Sequence, residues 1–367
     1  MDTYDVAIVG AGPGGLASAI KAKEMGLSYV VLEKGESILQ GIIDSYPSGK
    51  KVYPTIPKGQ SEPFPVPDLE PSNEPVEEYV AKVKSCIAKH EITVRLGEDA
   101  SDIVKEEKGF KVVTSQNAYE CANVVLAFGR SIPADLGVYG DASNVRRHLD
   151  NPDQHFGHSV LVIGGGNSAA DIIAALSRAK RTAEDDTPIF WANRRERFKV
   201  EKEVARDLGE EILLGGNIRI LPGAVPRVGE LDEDGIYRLL IGIGSIDVAN
   251  GMKYHQALSF PMNHVIACVG TQGPAPVFEQ MGLEQITSDK VESKPRKSGK
   301  AGTKLIVLKT GFQTSTEGIY AIGAAISPAY AFVGEDGTLQ RKKHTDLIFT
   351  AIRDGIQAVE DIAGINR

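Results

Sequence analysis

Short apolar runs alternate with helical stripes from the start of the chain. Residues 5–9, DVAIV, are too short a run for a helix and predict a strand, while Gly14 to Met25 carries a helical pattern ended by Gly26. The run YVVLEK at 29–34 predicts the next strand. Together these make one βαβ unit of about thirty residues, the length that a right-handed crossover needs. Residues 35–74 break the pattern: Pro, Gly and Ser dominate, which predicts a long irregular excursion. Helical periodicity resumes over 75–90, with Val76, Tyr79, Val80, Val83 and Ile87 on one face. ITVRLGE, DIVKEEKGFKVVTS and ECANVVLAFG then read as strands, the middle one a hairpin turning at Lys108-Gly109.

A polar stretch from Gly129 to Gly157 predicts a crossing between domains. HSVLVIGGG then starts the same strand, turn and helix afresh, with a helix from Asn167 to about Lys180 and a strand, PIFWANRR, at 188–195. A β-rich patch follows (IRILPG, YRLLIGIG, NHVIACVG), and 270–276 reads as the crossing back. KLIVLK and GIYAIGAA are late strands. An amphipathic helix over about 345–363 closes the chain, its expected apolar face being Leu347, Ile348, Ala351, Ile352, Val359 and Ile362. The pattern therefore predicts an α/β protein in which one domain (141–275) is inserted into another (1–140 and 276–367).

A length of 367 residues accommodates two such domains, each with its own core. No apolar run reaches the roughly eighteen residues that span a bilayer, and no basic, apolar and small-residue succession marks an export signal. A cytoplasmic protein without membrane contact is the expectation. The net charge of −8, with no basic block beyond pieces such as Arg341-Lys342-Lys343, argues against nucleic acid as a partner. Cys86, Cys121 and Cys268 are scattered and form no C-x-x-C, so they read as small buried hydrophobes, with neither a dithiol nor a metal site expected.

The candidate chemistry lies in the two glycine turns. In the first, GAGPGG, Gly10 permits the tight turn, Gly12 lets backbone approach a pyrophosphate, and Gly15 allows the helix to pack close to the strand, with Gly14 between them. The helix N-terminus offers the phosphate site. Glu33 ends the next strand, where a carboxylate accepts hydrogen bonds from both ribose hydroxyls and repels a 2′-phosphate; this selects FAD or NAD over NADP. In the second turn, Gly164 and Gly166 hold the first two glycine positions and Ala169 the third. Its strand ends in ANRRERFK, placing Arg194 and Arg195 just past the strand and Lys199 a helical turn beyond, a phosphate-binding set suited to NADPH. The bland alternative is a solvated basic helix start.

These segments, GAGPGGLASAI, LEKG, VVLAFGR, GGGNSAAD, ANRRERFK and TSTEGIYAIG, resemble in order and spacing the two-dinucleotide-domain flavoproteins similar to low-molecular-weight thioredoxin reductase. The resemblance covers most of the chain. It implies two Rossmann-like three-layer domains, FAD in the first and NADPH in the second, and a homodimer. Within those motifs it marks Lys34, Gly129, Gly323, Asn167 and Ser168 as further cofactor-binding positions. The family's C-x-x-C is missing, because the corresponding region reads GNSAADIIAAL. DSYPSGKKVYPTIP looks like ferredoxin-NADP reductases of the thioredoxin-reductase type, in which a tyrosine before a proline packs on the flavin; Tyr46 is that residue here. The longer stretch also resembles bacillithiol disulfide reductases, but that branch carries a cysteine at the position of Gly14. The family's usual Asp after the last glycine is Ala324, and His344, at the start of the final helix, is expected to hydrogen-bond the flavin or else to be an ordinary flanking residue.

The function so implied is an NADPH-dependent flavoprotein oxidoreductase that passes electrons to an external acceptor: ferredoxin, another small redox protein or a quinone-like molecule. No side chain is required as acid, base or nucleophile. Lys50, Lys51 and Lys58 are candidates to attract an acidic partner. The alternatives are a flavin-linked disulfide reductase, a flavin-dependent monooxygenase, suggested by GNSAADI, and a nucleotide-binding sensor without turnover.

Overall fold

The computed structural model describes residues 3–129, 132–133, 145–231, 237–243, 246–247, 251–252, 256–262, 264–291 and 303–365. The expected domain boundary at 140/141 lies outside the described residues. Along them run the helices α1 (Pro13–Glu24), α2 (Gln40–Ser45), α3 (Val76–Lys89), α4 (Asn167–Thr182), α5 (Lys202–Leu213), α6 (Ala275–Gln280) and α7 (Ile348–Ile362). None is long and apolar enough to cross a membrane. The chain divides into two compact units, one of residues 1–43, 51–132 and 271–367, the other of 44–50 and 133–270.

The first unit is built on strand Thr3–Val9, which pairs in parallel with Tyr29–Glu33 on one side and Ala118–Leu126 on the other. Ile319–Ala321 pairs in parallel with the far half of Ala118–Leu126, and the hairpin Ala100–Glu106/Gly109–Thr114 extends its near half antiparallel. Central parallel strands are covered on both faces, so they are apolar throughout: Val6, Ala7, Ile8, Val124, Val125 and Leu126 are all fully buried. A second sheet in this unit orders Gln285–Thr287, Lys304–Leu308, Ala329–Val333 and Leu339–Lys343.

Helices α1 and α7 pack against one another through small residues. Their closeness buries α1 on nearly every side, from Gly14 through Ile20. The buried face of α7 is rotated from the one expected: Phe349, Ile352, Ala358 and Val359 point inward, together with Gly355, Asp354 and Asp361. The expected apolar stripe counts only hydrophobes, and here two carboxylates are buried with partners, Asp361 accepting from the Tyr320 hydroxyl at 3.0 Å.

The second unit holds four parallel strands in the order Ile218–Pro222, Ile189–Asn193, Val160–Ile163 and His264–Ala267, with α4 and α5 against them. The expected β-rich patch divides: IRILPG and NHVIACVG supply the parallel strands Ile218–Pro222 and His264–Ala267, while YRLLIGIG is the middle strand of an antiparallel meander, Ala224–Leu231, Tyr237–Ile243, Gln256–Met262. Two elements escape the sequence pattern. Helix α5 follows the basic segment directly, so residues 194–199 form a turn and the helical turn expected to carry Lys199 does not exist. The excursion 35–74 also contains structure: α2, a short strand pair joining Lys51–Val52 to Glu74–Pro75, and a 3-10 turn at Pro67–Leu69.

Candidate functional site

Both glycine turns have the same architecture. At Gly10 the backbone takes φ +107°, and a Cβ there would meet the Ala127 carbonyl oxygen at 2.6 Å; a Cβ at Gly15 would lie 1.9 Å from the carbonyl oxygen of Gly10 itself. Gly164 repeats the first device, with φ +134° and the Cys268 carbonyl oxygen 2.3 Å from a Cβ. The middle glycines, Gly12 and Gly166, differ: nothing stands within 4 Å of a Cβ at either. No packing inside the chain demands glycine there, whereas close approach by a ligand does. Gly12 and Gly166 are also the N-caps of α1 and α4, without side-chain caps and without an acidic residue in either first turn. The leading N–H groups of both helices are thus left for an anion, and these cradles fit a pyrophosphate.

The strand ends separate the two turns chemically. Glu33 is buried, and its carboxylate accepts from the Ala11 amide and the Gly35 amide, each at 2.8 Å. One hydrogen bond to each oxygen leaves each a further lone pair, which fits the ribose hydroxyls expected of it. The neighbouring Lys34 is exposed. In the second unit Asn193 takes the place of Glu33. Its amide donates to the carbonyl oxygens of Arg195 (2.9 Å) and Arg197 (3.0 Å), and so holds the turn in which Arg194 and Arg195 lie exposed. The Lys199 amide donates to the Gly165 carbonyl oxygen at 2.6 Å, folding this basic loop back over the glycine turn. Asn167, at the start of α4, accepts from the Glu201 amide and closes the loop's far end, while Ser168 beside it is exposed. Asn193 was missed in the sequence; its only signal is its place at a strand end between apolar residues and two arginines.

Three expectations are revised. Both nitrogens of His344 are engaged inside the fold, Nδ1 with the Ser327 hydroxyl at 2.6 Å and Nε2 with Asp354 at 2.7 Å, so the ring has no nitrogen to offer a flavin. Asp354 in turn accepts from the amide of Gly323, which adopts φ +64° beside the half-buried Ala324. This buried chain fixes the Gly323 turn to α7. Lys50, expected to attract a partner, is committed: its ammonium lies 2.7 Å from Asp171 and 3.9 Å above the Tyr46 ring. Lys51 and Lys58 remain exposed. Tyr46 is half-buried with Lys50 on one ring face, and residues 44–50, expected in the first unit, cluster with the second. Gly129 takes φ +68° with open space where a Cβ would be.

The thiols are poorly placed for exchange chemistry: Cys86 and Cys121 are buried as expected, Cys268 is half-buried, and burial raises Cys86. Burial pushes Cys121 and Cys268 each up to about 12, so neither forms a thiolate at neutral pH. At Gly14 a Cβ would stand 2.9 Å from the Ala351 carbonyl oxygen of α7.

The pyridine nucleotide-disulphide oxidoreductase family matches residues 7–201 of the chain. Over 332 residues the chain is 25% identical to a ferredoxin–NADP reductase of Streptococcus sanguinis strain SK36, covering 89% of this chain and 87% of that one. Among solved structures, a bacillithiol disulfide reductase from Staphylococcus aureus is similar over 100% of both chains, at 18% identity and a TM-score of 0.72. A thioredoxin reductase from T. acidophilum is similar over 100% of this chain and 99% of its own, at 18% identity and a TM-score of 0.65. At such identities these two are likenesses of fold. The chain belongs to the pyridine nucleotide-disulphide oxidoreductase family and is an NAD(P)H-dependent flavin oxidoreductase within it.

Proposed function

We propose that the first unit holds FAD, the second holds NADPH, and the electrons leave to an external acceptor of the ferredoxin type. One observation carries this reading: two open helix N-termini of the same build end in opposite charges, a buried carboxylate at Glu33 and an exposed basic loop at Arg194, Arg195 and Lys199. A flavin accepts hydride from a nicotinamide and can release electrons one or two at a time, whereas a nicotinamide gives up its two electrons together as hydride. The chain's own part is binding and selection. Gly12 and Gly166 admit the phosphates, Glu33 accepts the ribose hydroxyls, and the basic loop, shaped by Asn193, neutralises a 2′-phosphate. Domain limits near 1–140, 276–367 and 141–275 belong to this proposal, as does assembly as a homodimer in the cytoplasm.

Against reduction of a disulfide through a protein thiol stand the burial of Cys86 and Cys121, the raised thiol of half-buried Cys268 and the absence of room at Gly14. The name of the Streptococcus sanguinis relative supports the ferredoxin reading. The test is steady-state reduction of ferredoxin and of low-molecular-weight disulfides with NADPH. Ferredoxin turnover with negligible disulfide turnover is expected; the reverse order would favour the disulfide reading.

A further inference from the structure

A cluster of metal-ligating side chains lies in the first unit, among residues to which the cofactor reading gives no role. Cys86 and His90 are four residues apart at the C-terminal end of α3, so they project from one helix face. Asp68 reaches the same point from the 3-10 turn Pro67–Leu69. One ligand atom from each of the three lies within 4.8 Å of the others, and His90 Nε2 is 3.7 Å from an Asp68 oxygen.

The turn that presents Asp68 is held independently of these side chains. The Tyr79 hydroxyl donates to the Leu69 carbonyl oxygen at 3.1 Å, and Lys82 Nζ donates to that of Glu70 at 2.6 Å. Both donors are on α3, so the carboxylate is carried to the helix whether or not a ligand is present. Preorganisation of this kind lowers the entropic cost of assembling a site.

We infer that Cys86, His90 and Asp68 form a binding site for a borderline-soft divalent cation of the zinc class. One thiolate, one imidazole and one carboxylate are a zinc donor set, with water completing a tetrahedron. Bond lengths of about 2.0–2.3 Å require ligand atoms roughly 3.3–3.7 Å apart, so the cluster closes by about an ångström on loading. The Cys86 thiol gives its proton to solvent as the metal–sulfur bond forms. Burial and then the nearby Asp68 carboxylate push that thiol up, and a dication between the two groups reverses the second effect. The competitor is Lys89, whose exposed ammonium lies 3.0 Å from the same Asp68 oxygen and must swing out.

The protein as purified, with its flavin, is dialysed against chelator and titrated with zinc by calorimetry, with elemental analysis after gel filtration. One zinc per chain is expected. Cys86→Ser and His90→Gln should each weaken binding by roughly 100-fold or more, since even outer-shell partners are worth 10–100-fold. Lys89→Ala, an exposed change that spares the fold, should bind zinc more tightly. Wild-type protein that takes up no zinc, or zinc binding unchanged in all three variants, would overturn the assignment.

Discussion

Gly14 of α1 and Gly355 of α7 meet backbone to backbone: a Cβ on Gly355 would stand 2.4 Å from the Gly14 carbonyl oxygen and 2.7 Å from the Ser18 hydroxyl. The same hydroxyl donates to the Gly14 carbonyl oxygen at 2.9 Å. The first glycine turn is therefore positioned by the last helix, more than three hundred residues later in the chain. Gly355→Ala forces the helices apart and should cost roughly 1–3 kcal/mol, as overpacking does. Chemical unfolding measures the loss, and flavin retained through gel filtration should fall with it.

The basic loop makes a prediction about choice of nucleotide. Replacing Arg194 or Arg195 by Ala removes a charge-assisted hydrogen bond, worth about 1.5–3 kcal/mol, or roughly 10–100-fold. KM for NADPH should rise by that factor while KM for NADH stays nearly constant. Equal effects on both would place the 2′-phosphate elsewhere. Asn193→Ala should act in the same direction by releasing the loop, with every arginine still present.

Much of this was legible in the sequence because it follows from short-range chemistry. A glycine at a φ of +107° and a carboxylate closing a strand are local requirements, and Gly10 and Glu33 announce them. What was not legible depends on distant partners. His344 reads as a polar residue before a helix, and only the fold brings Ser327 and Asp354 to its two nitrogens. Lys50 reads as a surface charge until Asp171, more than a hundred residues on, pairs with it. Cys86 and His90 share a helix face that periodicity shows, but Asp68 joins them through a turn inside a segment without periodicity.

The second unit should be acid-sensitive. His155 and His264 share a hydrogen bond of 2.8 Å between their Nδ1 atoms, and Lys180 donates to the carbonyl oxygen of His155. Burial first, and then neighbouring His264, Arg146 and Lys180, lower His155 to about 4, and His264 is lowered as well. In the unfolded chain these rings protonate near 6.5. The neutral folded pair is thus at full stability above about 6.5, and stability falls as pH drops toward about 4, by about 1 kcal/mol per pH unit. Urea unfolding between pH 7.5 and 4.5 checks this, and His155→Gln should flatten the slope.

Asp354 anchors the Gly323 turn. In Asp354→Ala the Gly323 amide and His344 both lose a buried acceptor, at a cost of about 3 kcal/mol. His344→Gln should cost less, because Gly323 keeps its carboxylate. Unfolding free energies of the two variants give the order directly.

The central claim is that two nucleotides work in one chain, NADPH as donor and FAD as acceptor. Anaerobic titration of the purified flavoprotein with NADPH, following the flavin absorbance, tests it most directly. The account predicts one FAD per chain, bleached stoichiometrically by NADPH and recoloured by oxidised ferredoxin. A colourless protein that takes up no flavin, or a flavin that NADPH leaves oxidised, would contradict it.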